Sequence, residues 1–286
     1  MPDGRLVAID DTSLWVVTRG DGPIPLIVLH GGPGLDHHEF DDYLDPLTDR
    51  CTLHLVDMRH QGASARDTLP HTWTLERMAQ DVQMLALAMG LGRYAVLGHS
   101  YGAFVTLQHA IDHPGVPLAS IVSCGVPASS YMERTPELIA AMEPSEVRAK
   151  VEAALAAEAD VSTPEGLWRL LVDEMPAFFA DPLDPRIADY VARTERTILS
   201  PEMLAHAASS GFALDLLDRL GDVPHPVLVL AGRHDRVCPV EGSEATAAGI
   251  AGAELVVFER SGHMPFVEDP EAYVATVGAF LARVAR

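Results

Sequence analysis

Short apolar runs of four or five residues recur along this chain, separated by stretches in which apolar residues return every three to four positions. Pro25 to Leu29, Thr52 to Val56, Tyr94 to Leu97 and Leu118 to Val122 are the first four runs. Runs so short and continuous fit strands covered on both faces, as in a mostly parallel sheet. Leu6 to Ile9 and Thr12 to Thr18 alternate instead and read as an opening strand pair turned at Asp10-Asp11. Leu75 to Met89 carries Leu75, Met78, Ala79, Val82 and Leu85 at helical spacing. Strands alternating with helices predict right-handed crossovers and a doubly wound α/β sheet.

The pattern changes between about Val126 and Asp222. Strand-like runs stop, and helical stretches take over, many opening near a proline: 136–142, 144–157, 164–175, 185–197 and 201–208. Strands resume at Pro226 to Leu230 and Glu254 to Phe258, and a helix over Pro270 to Val284 closes the chain. The expected organisation is a sheet-and-helix core, residues 1–125 and 223–286, with an all-helical cap, 126–222, inserted in it. The sheet should hold about eight mostly parallel strands.

Composition narrows the function. A net charge of −21 over 286 residues, with Lys150 the sole lysine, repels nucleic acid and anionic membrane, so neither is expected as a partner. No apolar run approaches the roughly 18 residues of a membrane span. Met1 to Asp11 lacks the apolar centre of a signal peptide, so the expectation is a cytoplasmic enzyme. Cys51, Cys124 and Cys238 are far apart and form no C-x-x-C pair, which argues against a disulfide framework or a thiolate metal site.

The chemistry centres on Gly98-His99-Ser100-Tyr101-Gly102, which follows a strand run and precedes a helical stretch. This is a G-x-S-x-G pattern in strand–turn–helix context, which lifts a serine Oγ clear of the sheet. A nucleophilic serine needs a base, and the base an orienting carboxylate. Asp235 lies just past one late strand and His263 just past the last, so Ser100, Asp235 and His263 are the candidate catalytic set. His30, His54, His60, His99 and His234 read as surface or supporting histidines. Two amides should form an oxyanion hole, one from Tyr101 and one from the glycine-rich loop His30-Gly31-Gly32-Pro33-Gly34. Asp36-His37-His38-Glu39 reads as a solvated loop entering a helix rather than a metal site. Asp57 and Arg59 read as making local hydrogen bonds. No cofactor or metal is expected, and the substrate should be a small molecule or short peptide.

Together, His-Gly-Gly-Pro-Gly at 30–34 and Gly-His-Ser-Tyr-Gly at 98–102 resemble the proline iminopeptidase family of α/β-hydrolases. Asp57-x-Arg59-x-x-Gly62-x-Ser64, Gly232-Arg233-His234-Asp235 and Ser261-Gly262-His263 are similar to that family's loops, with His60 replacing a glycine. The resemblance implies the α/β-hydrolase fold, the triad Ser100–Asp235–His263, and an oxyanion hole built from the Gly32 and Tyr101 amides. It also implies a cap glutamate that binds the substrate's amino group. Here the corresponding stretch, Ala207 to Phe212, carries no acid, and the spacing leaves open whether Glu195 or Glu202 replaces it. Aminopeptidase and carboxylesterase or lactonase activities therefore both stand as readings, with a non-catalytic binding module more remote. Trp168, Phe178, Phe179 and Phe212 are candidates for lining the substrate pocket.

Overall fold

Eight strands form one sheet in the computed structural model, which describes residues 4–210 and 214–286. They are Arg5–Ala8 (β1), Ser13–Arg19 (β2), Ile24–Leu29 (β3), Cys51–Asp57 (β4), Ala95–His99 (β5), Ala119–Ser123 (β6), Val227–Gly232 (β7) and Glu254–Phe258 (β8). Their order is β1-β2-β4-β3-β5-β6-β7-β8. The pairs β1/β2 and β2/β4 are antiparallel and all the others parallel. The mostly parallel sheet of about eight strands expected from the apolar runs is therefore present.

Successive strand residues point to opposite faces. Ile27, Leu29, Val96, Val122 and Val229 pack on one face against the helices Leu75–Ala88 (α1) and Tyr101–Asp112 (α2). Leu26, Val28, Leu97, Ile121 and Leu230 pack on the other, against Phe40, Leu44 and the closing helix. Coverage on both faces is why these runs read as unbroken apolar stretches rather than alternating ones.

Between β6 and β7 come Thr135–Ala140 (α3), Ser145–Ala157 (α4), Pro164–Phe178 (α5), Arg186–Thr194 (α6) and Pro201–Ser210 (α7). After β7 follow Val240–Gly249 (α8), Pro265–Glu268 (α9) and Pro270–Val284 (α10). Helix α8 gave no helical signal because its buried positions include Gly242, Ser243 and Thr246, small or polar residues that leave no apolar stripe. Among the described residues no helix is long and apolar enough to cross a membrane.

Two sequence expectations about loops need correction. Residues 36–40 are not solvated: Asp36, His37, Glu39 and Phe40 are buried, with His37–Phe40 forming a 3-10 turn. Asp36 caps that turn and also accepts from the Ile198 amide, while Asp57 accepts from the amide and Nδ1 of His37. Nor are the Arg59 bonds local. Its fully buried guanidinium donates to both oxygens of Asp81 on α1, each at 2.7 Å, and to Asp11 beside β2. Burial raises the pKa of Asp81, and the Arg59 guanidinium partly offsets that.

Removing Arg59 leaves the buried Asp81 carboxylate only Arg77, at 3.4 Å, as a cationic partner among the described residues. Arg59→Met is expected to lower unfolding free energy by about 3–5 kcal/mol in urea titrations. Adding Asp81→Leu should recover part of that loss, and an undiminished loss in the double variant would contradict this account.

Candidate active site

Ser100 sits between β5 and α2 with φ 53° and ψ −117°, a conformation costing a non-glycine residue about 1–3 kcal/mol. The turn exists because backbones close in on it. A Cβ on Gly98 would stand 2.0 Å from the Gly102 carbonyl oxygen, and one on Gly102 would stand 2.4 Å from that of Leu29. The Ser100 amide donates to the Ser123 carbonyl at 2.9 Å, tying the turn to the end of β6. Tyr101 is the first residue of α2, so its amide follows directly on the serine turn.

Asp235 and His263 come from the loops after β7 and β8. Asp235 Oδ2 accepts from His263 Nδ1 at 2.8 Å, and its Oδ1 accepts from the Val237 and Cys238 amides at 2.9 and 2.8 Å. Two backbone donors thus fix the carboxylate before it orients the imidazole, and Nε2 is left as the acceptor. The two loops touch: a Cβ on Gly232 would lie 1.8 Å from the Gly262 carbonyl oxygen. Behind the pair lies Cys124, whose burial raises its thiol pKa well above the ordinary value and keeps it inert.

The loop after β3 runs beneath Ser100. His30 is buried, and burial lowers its pKa. Its Nδ1 meets the Gly31 carbonyl at 2.7 Å and its Nε2 accepts from the Met58 amide at 3.1 Å. The Gly31 amide donates to Glu39 Oε2 and the Gly34 amide to Gln61 Oε1, each at 2.6 Å, while Pro33 has no N–H. Gly32, at φ 114°, therefore holds the loop's uncommitted amide among the described residues.

Ser100, His263, Gly32 and Glu39 share the wall of a cavity of about 200 Å³, otherwise lined largely by apolar residues of α5 and its neighbours. A second compartment of about 270 Å³ shares Gly32, Pro33 and Ser100 with it and adds Tyr101, Phe104 and Met132. The segment that ends α5 is fastened to the His263 loop. His263 donates its amide to the Phe178 carbonyl, Arg236 donates to the Phe179 carbonyl, and Glu268 accepts from the amides of Ala180 and Gly262.

The structure joins Asp235 to His263 and brings Ser100 and Gly32 to the same cavity. Among the described residues no hydrogen bond links Ser100 to His263. Trp168 and Phe178 line the cavity, Phe179 is wholly buried in the core, and Phe212 lies outside the described residues. Glu195 and Glu202 are both exposed, and Glu202 pairs with Arg66 at 2.8 Å, so neither replaces a cavity glutamate. Glu158 and Glu174 line the cavity instead. Burial, reinforced by mutual repulsion, raises Glu174's pKa, and its Oε1 has no hydrogen-bond partner. Burial also raises that of Glu158. A signal for Glu174 lay in the sequence, since it interrupts the apolar stripe Leu167, Leu170, Leu171, Met175, Phe178. Asp36, His37 and His38 offer ligand atoms close enough for a metal, but the Asp36 oxygens are held by His38 and the Ile198 amide, and His37 Nδ1 by Asp57.

A model of the alpha/beta hydrolase family matches residues 26–276. The chain is similar to a proline iminopeptidase of Clostridium botulinum, 26% identical over 264 residues that cover 90% of this chain and 89% of that protein. The crystal structure of a Mycobacterium smegmatis proline iminopeptidase matches with a TM-score of 0.76 and 27% identity, covering 99% of this chain and 98% of the other. An Exiguobacterium antarcticum esterase, at 23% identity and TM-score 0.74 over 99% of this chain and all of the other (100%), shares the fold.

Because a side chain at 232 has no room, Gly232→Ala should drive the Asp235 and His263 loops apart. The expected result is a loss of about 2 kcal/mol or more in stability with reduced hydrolytic activity. Unchanged melting and activity would show that the loops do not need this approach.

Proposed function

The chain belongs to the alpha/beta hydrolase family, and from that premise we propose that it is a serine hydrolase cleaving an ester or amide bond of a small substrate through an acyl-enzyme. The observation that carries this reading is the 2.8 Å bond between Asp235 and His263 on the wall of the cavity that also contains Ser100. His263 Nε2 takes the Ser100 proton as Oγ attacks the carbonyl, and Asp235 stabilises the imidazolium and its orientation. Catalytic hydrogen bonds often tighten only when substrate is seated, which accounts for the open Ser100–His263 contact. The Gly32 and Tyr101 amides receive the oxyanion. His263 then protonates the leaving group, and water repeats the sequence on the acyl-enzyme.

Residues 126–222 act in this reading as a cap on the core formed by 1–125 and 223–286. Leu35, Ile139, Leu167, Met175 and Phe178 make the enclosed compartment apolar, which suits a small apolar acyl group. The leaving group would occupy the second compartment, past Tyr101 and Phe104.

A second reading, release of an N-terminal residue from a short peptide, is favoured by Glu158 and Glu174. A carboxyl pair without a cation in an apolar cavity must hold a proton, and a substrate ammonium would relieve that constraint. The likeness to proline iminopeptidases supports the same reading.

Ser100→Ala is expected to abolish fluorophosphonate labelling and lower hydrolysis by several orders of magnitude. Retention of most activity in that variant would remove the serine reading. Proline naphthylamide and p-nitrophenyl butyrate separate the two specificities. Aminopeptidase action predicts amide turnover that Glu174→Gln reduces about tenfold or more while ester turnover changes less. Ester turnover without amide cleavage would eliminate it.

A further inference from the structure

We propose that Glu39 is a positioning residue for the oxyanion loop, accepting the Gly31 amide so that the next amide, that of Gly32, turns toward Ser100, and that it does so as the neutral acid. The proposal rests on the acyl-transfer reading of Ser100.

Glu39 stands in the 3-10 turn after the loop and is 5% exposed. Its Oε2 takes the Gly31 amide at 2.6 Å. A Cβ built on Gly31 would lie 2.6 Å from Glu39 Oε1 and 3.2 Å from Ser100 Cβ, so carboxyl, loop and serine are in one contact layer. The other side of the residue is held as well, because the Tyr190 hydroxyl of α6 donates to its backbone carbonyl at 3.1 Å. A peptide plane has two ends. The His30 ring holds the Gly31 carbonyl and with it the Gly31–Gly32 plane that carries the Gly32 N–H, while Glu39 holds the N–H of the preceding His30–Gly31 plane, so both planes that meet at Gly31 are fixed.

No cation faces this carboxyl among the described residues. From β5, His99 Nε2 approaches Oε1 at 3.9 Å, but burial holds that imidazole neutral, its pKa well below the ordinary value. His263 lies beyond it, with ring centroids 4.9 Å apart. Tyr190 on α6 and Tyr273 on α10 are phenols whose own pKa values are raised, and Asp36 in the same turn adds repulsion. An ionised Glu39 would have one amide for company, and it would stand next to the point where attack by Ser100 creates a second negative charge. Burial, the largest cause, pushes its pKa up to about 8, against the Gly31 amide, which lowers it. The sign follows directly. Below that value the carboxyl is neutral and the oxyanion loop is unopposed, and as pH rises through about 8 the anion forms and the rate falls.

The test is the second-order rate of fluorophosphonate labelling of Ser100 in the full chain from pH 6 to 10, together with ester kinetics. The wild-type labelling rate should fall about tenfold at the alkaline end, with its midpoint near the Glu39 value. Glu39→Gln keeps an acceptor for Gly31 and cannot ionise, so its alkaline fall should vanish. Glu39→Ala should label about tenfold or more slowly at every pH, with the ester loss in kcat rather than KM, and Glu39→Gln should rescue it. An alkaline fall in Glu39→Gln equal to that of the wild type overturns the proposal, as does wild-type labelling by folded Glu39→Ala. If Glu39→Ala fails to fold, the isosteric Gln variant decides alone. A wild-type chain that is never labelled refutes the serine reading itself, an outcome distinct from a labelled chain with no dependence on Glu39.

Discussion

The hydrogen bond from His263 to Asp235 depends on two loops meeting at a distance that no side chain at 232 would permit. The Cβ position of Gly232 is filled by the Gly262 carbonyl, so the ends of β7 and β8 are locked together by backbone alone. The same device recurs at Ser100, where Gly98 and Gly102 let two chain segments and the end of β3 converge. Close backbone approach at strand ends is therefore the constraint from which the site's geometry follows. The parallel sheet makes it possible by delivering β3, β5, β7 and β8 with their carboxyl ends on one side.

A second layer of polar contacts fastens the inserted helices to those strand ends. Glu268 and Arg236 hold residues 178–180 against the His263 loop, and the Ser200 amide donates to the Gly34 carbonyl. Tyr190 and Ile198 reach the 3-10 turn that carries Asp36 and Glu39. The cavity wall is thus continuous from sheet to insertion, and its carboxyls, Glu39, Glu158 and Glu174, have no arginine partner among the described residues. Placing three such groups in an apolar cavity costs stability, the kind of local conflict that proteins retain at sites of function.

The eight strands were legible because each is buried on a face that demands apolar residues at short range. Ser100, Asp235 and His263 stood out because loop positions after strands are readable from the runs before them. Helix α8 was missed, since a helix that packs small residues leaves no periodic apolar signal. Glu39 was placed in a solvated loop because its acidic neighbours, Asp36, Asp41 and Asp42, are what such a loop would carry, and burial of a carboxyl by a distant glycine amide has no local signature. Whether Glu195 or Glu202 stands in for a cap glutamate was left open by the sequence for a similar reason. Helix α5 carries the cavity's Glu174, whereas Thr197 and not Glu195 or Glu202 lines the cavity from the later stretch, and the broken apolar stripe of α5 was the signal.

The central claim is that Ser100 carries an acyl group during turnover. A p-nitrophenyl carbamate tests it most directly, since carbamoyl-enzymes hydrolyse slowly enough to isolate. The account predicts one equivalent of nitrophenol released in a burst, with the mass of one carbamoyl group on the peptide that contains Ser100. Steady nitrophenol release with that peptide unmodified, or the carbamoyl group on another residue, would contradict it.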